Sequence, residues 1–545
     1  MIELFSMDGI TMRIKIKLNM NKGILLFIAI IVGVNSIYSQ TNFYTGFEEN
    51  IDKYYPQKSK EKAVYVMQLQ LPQWTNGISG RALDLSENAV LRKPLVIDSL
   101  ETPDYGMNDF SVQVWVKTIK GAVQGTPIIG NTKDEDPEGP GWKILTQENG
   151  AWGVWISDGK SEYRYLPTPG RQAINDGEWH QLAFSIDREK EEAWFFKDGK
   201  NVAIYNTPNL GSLNSNNRTV VGGTYEYWEY GSSGQWTAFN GYLDEVNVKS
   251  SYQNSTSIKE DFNRFKTLEE DDKLDSPLRT MVWNIWHGGR RYGKHVGVER
   301  VVQTIKQAQP DVVALIETYG SGEIIADALG YHFYLISSNL SIMSRFPINK
   351  TIKAFRPFNF GGAEINLGGG RRLTFLNTWL HYLPDYSKNV IEGAISAEDL
   401  INAEKETRQS EVESILKEIK PLHSKSGSNP VIMLGDFNSG SHLDWIESTK
   451  GIHNGYTIDW PVSLAMINAG FKDSFRELNI NPLLDPGLTW TPRAATSSNE
   501  YGLRDRIDYI YYKGGLIPIE SKVIDYHPLM FPSDHAAVIT VFDVK

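Results

Sequence analysis

Near residue 250 the chain switches from one pattern of hydrophobicity to another, so no single repeating architecture accommodates its whole length. From 41 to 250 the apolar residues alternate in short runs, among them Phe110-Ser-Val-Gln-Val-Trp-Val116 and Ala193-Trp-Phe-Phe196. Turn pairs separate the runs at Asp158-Gly159, Asp176-Gly177, Asp198-Gly199 and Asn240-Gly241. Many short strands between such turns predict an all-β sandwich or jelly roll. No helical period of useful length runs through this half.

From 279 onward strands and helices alternate. Apolar strands are expected at 279–285, 311–316, 373–376, 431–434, 508–512 and 536–541, with helices at 298–308 and 404–419. This mixture predicts sheets packed face to face with helices outside. The stretch 251–278 is polar and charged, including Glu269-Glu-Asp-Asp272. It reads as a linker with one short helix, between halves expected to fold separately.

The 545 residues exceed what one core organises, so a multidomain chain is expected. The net charge of −11 provides no global basic field for nucleic acid. Over 279–545 the balance is 27 Lys+Arg against 29 Asp+Glu, so this half lacks such a field too. A bound cation would supply positive charge locally, which keeps polyanionic substrates open. There is no cysteine. That excludes disulfides, thiolate nucleophiles, cysteine metal sites and a lipid-modified N-terminal cysteine.

Arg13, Lys15, Lys17 and Lys22 precede an uncharged apolar run over 23–34, followed by small and polar residues around Ser36 and Ser39. The run is too short to span a bilayer comfortably but suits the apolar region of a signal peptide. Residues 1–39 are therefore expected to be a signal peptide, cleaved near Ser39-Gln40, with Met12 or Met20 as alternative starts. An uncleaved anchor is the competing reading. No later segment is apolar enough to cross a membrane, so the expected product is secreted, periplasmic or at the cell surface.

In the first half, Gly80-Arg-Ala-Leu-Asp-Leu85, Phe110-Ser-Val-Gln-Val-Trp-Val116, Gly177-Glu-Trp-His-Gln-Leu-Ala183, Lys197-Asp-Gly-Lys200 and Phe239-Asn-Gly-Tyr-Leu-Asp-Glu-Val246 occur in that order. Together they resemble the laminin-G-like, concanavalin-type jelly roll, over nearly all of 41–250. The resemblance implies a module that binds a glycan or a cell-surface protein. Trp115, Trp179 and Phe195 sit on alternating strands and are expected in the core, and His180 in a loop hydrogen bond. Calcium at Asp244 is disfavoured, because one acid cannot fill a shell of six or more oxygens. Exposed aromatics in Tyr225-Glu-Tyr-Trp-Glu-Tyr230 make a better contact surface.

The second half places acids, amides and histidines at strand ends. Asn284 closes Met281-Val-Trp-Asn, and Glu317 closes Val312-Val-Ala-Leu-Ile-Glu. Asp436 and Asn438 follow a strand in Leu434-Gly-Asp-Phe-Asn438. Asp508 lies in Arg506-Ile-Asp-Tyr-Ile510, and Ser533-Asp-His535 precedes the last strand. Residues that follow consecutive buried strands converge on one rim of a sheet, where α/β enzymes build sites. Magnesium or manganese takes oxygen ligands, so carboxylates and carboxamides suit it where imidazole and thiolate do not. A histidine held by a carboxylate has a fixed tautomer and moves protons near neutral pH. In Asp436-Phe-Asn438 the polar side chains share one face, and Phe437 turns into the core.

These motifs, in this order, resemble the endonuclease/exonuclease/phosphatase superfamily, whose fold is a four-layer α/β sandwich, over essentially all of 279–545. The resemblance implies Glu317 as the main metal ligand, with Asn284 and Asp534 nearby. It implies that Asp436 orients the attacking water or binds a second cation, that Asn438 holds a phosphoryl oxygen, and that Asp508 buttresses a catalytic His535. One departure stands out. The superfamily's second histidine falls in an Asn-Thr-His-Leu segment, and this chain reads Asn377-Thr-Trp-Leu-His381. Either His381, two residues on and so on the same strand face, replaces it, or Trp379 lines a substrate wall. The favoured assignment is His381.

His287, in Asn284-Ile-Trp-His-Gly-Gly289, and His442 with Asp444, in Ser439-Gly-Ser-His-Leu-Asp444, are further candidates for substrate contact. Arg504 and Arg506 could grip an anion, although Arg506 could equally pair with an acid. Trp490 is expected in the core. Gly368-Gly-Gly-Arg-Arg372 lacks the Gly-Lys-Ser/Thr ending of a phosphate-binding loop and reads as a hairpin turn. The leading expectation is a secreted, metal-dependent phosphodiesterase or phosphatase acting on an extracellular phosphorylated substrate such as a phospholipid or phosphosugar, delivered by the lectin-like module, with nucleic acid the substrate of the runner-up. A secreted nuclease is second, and a catalytically inactive adhesin is the non-enzymatic alternative.

Overall fold

A computed structural model describes residues 42–48, 73–87, 94–97, 102–122, 124–132, 139–215, 217–223, 239–423, 429–492 and 503–545. The expected signal peptide, 1–39, and the aromatic stretch 225–230 lie outside the described residues. The first half is a β-sandwich. One sheet carries Phe110–Thr118 between Gly241–Lys249 and His180–Asp187, and continues through Glu192–Lys197 to Lys200–Asn206. The other runs from Leu95–Ile97 through Thr219–Val221, Pro127–Gly130, Pro140–Thr146 and Trp152–Asp158 to Glu162–Tyr165. Between them Phe110, Trp142 and Phe184 meet at ring distances of 5.3–6.0 Å. Period-two alternation puts Val112, Val114 and Val116 on this face, and all are buried.

The opposite face of the same strand is also covered. Trp115 stacks on Phe262 of the helix Ser255–Asn263 at 5.4 Å and 13°, and Gln113 donates to Asp261 at 3.1 Å. Trp115 and Phe195 are buried, whereas Trp179 is only half-buried. His180 bridges the loop acids Asp198, at 2.8 Å, and Asp176, at 3.1 Å. The Asp244 carboxylate accepts the backbone N–H groups of Ser79 and Glu245 at 3.2 and 2.7 Å, so it fastens a turn.

The second half packs two sheets face to face. Leu278–Asn284 lies between Val312–Ile316 and Ala537–Val544 in one sheet. Val431–Asp436 lies between Arg371–Trp379 and Asp508–Lys513 in the other. Val282, Ala314, Ile316 and Ile342 meet Phe375, Ile432, Leu434 and Ile510 in a buried apolar core. Buried Asn377 donates to the carbonyls of Leu315 and Ser341, both at 3.0 Å, and so ties the sheets together. The helices lie outside, among them Val296–Ala308 and Ser410–His423. The run expected as one helix over 404–419 is interrupted. A π-helical turn, Lys405–Gln409, separates Ala397–Glu404 from Ser410–His423, and its buried Arg408 pairs with Glu404 at the end of the preceding helix. The glycine run 368–370 makes the expected hairpin turn, with φ of +77°, +61° and +80°.

The two halves are joined edge to edge. Lys200–Asn206 pairs in parallel with His332–Leu335, in the register Ala203 to Phe333, Ile204 to Tyr334 and Tyr205 to Leu335. A single sheet of fourteen strands, among the described residues, thus runs through both. Side chains reinforce the seam. Asn206 donates to the Ile336 carbonyl at 3.0 Å, and Arg171 donates to the carbonyls of Gly330 and Tyr331 at 2.7 and 2.9 Å. Buried Glu192 accepts both the Trp194 indole N–H and the Thr351 hydroxyl. Strand edges with unpaired N–H and C=O groups are costly to leave bare, and each half here covers one edge of the other.

Candidate active site

The site lies where both sheets of the second half end on the same side. Asn284 is the last residue of Leu278–Asn284, and Glu317 follows Val312–Ile316 directly. Asp436 closes Val431–Asp436 and sits opposite Asp508, the first residue of Asp508–Lys513. Gly435 is required beside it: a Cβ there would lie 2.0 Å from the Thr378 carbonyl oxygen, so any side chain would drive the parallel strands apart. The 533–535 turn is pinned to the first sheet, because the Ser533 hydroxyl donates to the Asn284 carbonyl at 2.7 Å and Trp283 Nε1 donates to the His535 carbonyl at 2.9 Å.

These residues form one polar cluster. His535 Nδ1 and Asp508 Oδ2 are 2.9 Å apart, and His535 Nε2 lies 3.9 Å from Asp436 Oδ2. Asn284 Nδ2 donates to Asp436 at 3.2 Å and to Glu317 at 3.3 Å. Glu317 also accepts the His287 backbone N–H at 2.8 Å. Asn438 Nδ2 donates to the Leu380 carbonyl at 2.9 Å, and its own N–H donates to Asp436 at 3.0 Å. Phe437 points away into the core against Tyr509 and Tyr511. Glu317, Asn438, Trp286 and His287 all take the left-handed backbone region, at φ of +57°, +49°, +52° and +52°. Such conformations cost free energy in residues other than glycine and persist where the surroundings over-determine them, commonly at functional sites.

The electrostatics are those of crowded carboxylates. Burial, then the neighbouring Asp508, pushes Asp436 well above the usual carboxylate range. Burial, with Glu317 close by, pushes Asp534 up to about 6. Burial alone would lower His535, but Asp508 and Asp436 override it and raise the imidazole to about 10. Asp508 Oδ1 and Asp534 Oδ1 are buried without a hydrogen-bond partner. Three carboxylates around one imidazole, with Glu317 beside Asp534 and two orphaned buried oxygens among them, fit a hard divalent cation, since a cation satisfies the oxygens and offsets the like charges. Asp436, Asp508 and His535 present ligand atoms within 4.8 Å of one another.

A cleft of about 780 Å³ opens over this cluster, lined by Asn284, Glu317, Asp436, Asn438, Asp534 and His535. Its other wall mixes the rings of Trp379, Tyr382, Tyr386 and Trp490 with the charged Asp385, Lys388 and Glu392. Trp379 lines the cleft and His381 does not. The His381 ring instead accepts the Leu383 N–H in its own turn at 3.1 Å and stacks on Tyr382. The favoured placement of His381 beside the phosphoryl group therefore has no counterpart in the geometry. The imidazoles of His287 and His442 are also absent from the lining, and His442 Nδ1 lies 2.6 Å from the Ser463 hydroxyl.

Asp444 and Arg506 lie beneath the site, not on its wall. Arg506 bonds Asp444 at 2.7 and 2.9 Å and Asp473 at 2.7 Å, and Arg476 meets Asp444 at 2.8 Å. Arg506 is 1% exposed, so the pairing alternative describes it and substrate contact does not. Arg504 donates to the Thr491 carbonyl at 2.7 Å. Trp490, expected in the core, is half-buried with its ring centroid 5.2 Å from that of His535. Tyr382 and Tyr386 carried no sequence signal, since they belong to no motif and reach the cleft only through the turn after Arg371–Trp379.

Comparison with known proteins finds a family match in each half. Residues 281–535 match the Endonuclease/Exonuclease/phosphatase family, and residues 98–259 match the Concanavalin A-like lectin/glucanases superfamily. An uncharacterised protein of Caenorhabditis elegans is 29% identical over 288 residues, covering 48% of this chain and 90% of that protein. A non-toxic nonhemagglutinin type C from Clostridium botulinum C phage is 30% identical over 124 residues, 21% of this chain and 10% of that protein. The chain thus spans about a tenth of that relative's length. Among solved structures, an AP endonuclease from Archaeoglobus fulgidus (17% identity, 49% of this chain, 100% of that one) and TDP2 from Caenorhabditis elegans (18%, 53% and 81%) each give a TM-score of 0.36.

Proposed function

From the premise that residues 281–535 are an endonuclease/exonuclease/phosphatase domain and residues 98–259 a concanavalin A-like domain, we propose that the chain is a secreted, metal-dependent phosphoester hydrolase directed to an extracellular substrate by its lectin-like half. The observation that carries the reading is the gathering of Asn284, Glu317, Asp436, Asp508, Asp534 and His535, from distant strand ends, onto one cleft. Glu317, Asp534 and Asn284 are the residues that would hold magnesium or manganese. Such an ion, when bound, draws charge from a phosphoryl oxygen as the ester breaks. Asp508 accepts from His535 Nδ1 and so presents Nε2 toward the reacting group. Asp436, fixed by Asn284 Nδ2 and the Asn438 N–H, is placed to orient a water. Asn438 completes the wall at which a phosphoryl oxygen docks. Export rests on the basic and apolar pattern of residues 1–39. Among the described residues no helix is long and apolar enough to cross a membrane.

The test is hydrolysis of bis-p-nitrophenyl phosphate. Chelation is expected to abolish turnover and magnesium or manganese to restore it. Glu317→Gln should raise the cation concentration needed, because a neutral amide is a poorer ligand for a hard ion. Full activity in excess chelator would overturn the metal-dependent reading. No hydrolysis with any divalent cation would favour the adhesin. Plasmid DNA, RNA, sphingomyelin and phosphosugars, compared side by side, then separate nuclease from the other esterases.

A further inference from the structure

Asp505 is a buried carboxylate that the chemistry of the cluster leaves unused. It is 3% exposed and forms no ion pair among the described residues, because the neighbouring Arg506 turns to Asp444 and Asp473. Burial, then the charge of Asp444, pushes it up to about 7. An acid in such a place is costly unless its oxygens are bonded, and here three donors converge on them. Oδ2 accepts the Tyr386 hydroxyl at 2.9 Å and the Trp445 indole N–H at 2.8 Å. Oδ1 accepts the Arg506 N–H at 2.8 Å. An amide of the same shape would turn its NH2 toward either the indole or the backbone N–H, so a carboxylate satisfies all three donors where Asn would not.

The two ends of this residue belong to different parts of the site. Its backbone lies on the strand-end rim, three residues ahead of Asp508, where it exchanges bonds with Trp490 at 2.6 and 2.9 Å. Its side chain reaches the helix Tyr386–Glu392, whose first residue is the tyrosine it holds. A helix of seven residues is unstable alone, so its placement is decided by what its inner face meets. That face is Tyr386 and Val390, one turn apart and buried with Trp445 and Trp460. The Tyr386 ring centroid lies 4.6 Å from that of Trp460 and 5.9 Å from that of Trp445. The outer face carries Ser387, Lys388, Ile391 and Glu392 to the cleft. Ring packing is tolerant of small rotations, whereas the hydroxyl bond to Asp505 is directional and ties this wall to the strand that bears Asp508. Lys388 is the one lysine or arginine lining the cleft, among the described residues. Where the helix sits therefore decides whether an anionic substrate meets a fixed positive side chain.

We infer that Asp505 is a positioning residue: by holding the Tyr386 hydroxyl it sets the helix that brings Lys388 to the cleft, and so governs how tightly an anionic substrate binds. The inference rests on the phosphoester reading of that cleft. It is tested on the full chain with bis-p-nitrophenyl phosphate in magnesium. Tyr386→Phe keeps the ring and its packing and loses only the hydroxyl. KM should rise about three- to tenfold, part of what a bond to a charged group contributes, with kcat within about twofold of wild type. Lys388→Gln, at an exposed position, should raise KM as much, and the double variant little further, because both act through the same ammonium. Hydrogen exchange over 386–392 should quicken in Tyr386→Phe. An unchanged KM or unchanged exchange in Tyr386→Phe, a loss of kcat in place of the KM rise, or additive effects of the two substitutions would each overturn the positioning role. Should the chain hydrolyse no ester with any divalent cation, calorimetric binding of inorganic phosphate in magnesium takes the place of KM. A Kd weakened by each single variant and no further by the double then supports the role while the hydrolase reading falls, and an unchanged Kd or no binding overturns it.

Discussion

Arg506→Met should destabilise the chain by about 3–5 kcal/mol, the usual cost of removing one partner from a buried ion pair. In the native network Arg506 and Arg476 balance Asp444 and Asp473, all four at most 6% exposed. Without the Arg506 guanidinium, Asp444 keeps Arg476 at 2.8 Å. Asp473 keeps the backbone N–H groups of Phe475 and Arg476, at 3.1 Å each, and only the longer-range charge of Arg476. One uncompensated negative charge then remains in an apolar setting. At about 2–4 °C per kcal/mol for a domain of this size, the melting point should fall by roughly 6–20 °C. Asp473→Asn added to the variant restores neutrality and retains a helix-capping side chain, so it should recover about 1–3 kcal/mol as a coupling energy. Thermal and urea unfolding of the full chain, single against double variant, measures both quantities. A loss below about 1 kcal/mol, or a double variant less stable than the single by the full sum, would refute the ion-pair account. A well-folded Arg506→Met chain with KM raised tenfold would instead make Arg506 a substrate contact.

His535→Ala should lower kcat by roughly 10²–10⁴-fold, the usual weight of a general acid or base. His381→Ala should leave kcat near wild type, because that ring is engaged in its own turn; a loss matching that of His535→Ala would place His381 in the chemistry after all. A fragment of residues 275–545 uncovers the His332–Leu335 edge and the Phe333 ring, which packs against Tyr205 in the full chain. It should therefore self-associate in light scattering and unfold earlier than the full chain, and a monomer of undiminished stability would show the seam to be dispensable. His332, at this seam, is held down to about 4 by burial and then by Arg171. The unfolded chain thus binds the proton first, and stability should be complete above about pH 6.5 and decline toward pH 4, by at most ~3 kcal/mol. Urea unfolding at pH 7 and 4.5 measures this, and His332→Leu should flatten the slope.

The acids, amides and histidine at the strand ends were legible before any coordinates, and so was the change of architecture near residue 250. A strand's period and the residue that ends it are local properties, and oxygen ligands grouped after buried strands constrain the chemistry wherever the strands lie. Asp444 and Arg506 show where locality stops. Their types suit an anion site, but only the fold brings Asp473 and Arg476 to them and turns the group into a buried network. His381 shares a strand-face parity with Trp379 that would place it in the cleft if the strand went on; the strand ends at Trp379, and the turn fastened by Arg408 carries the imidazole aside. The linker read from charge alone holds a helix whose Phe262 covers Trp115, and the two halves share a sheet because one bare edge met another. The chemistry that the chain can perform was written in residue types and their spacing. Which side chains line the cleft was decided by contacts between segments some tens of residues apart, and the joining of the two halves by contacts more than a hundred residues apart, for which no local pattern exists.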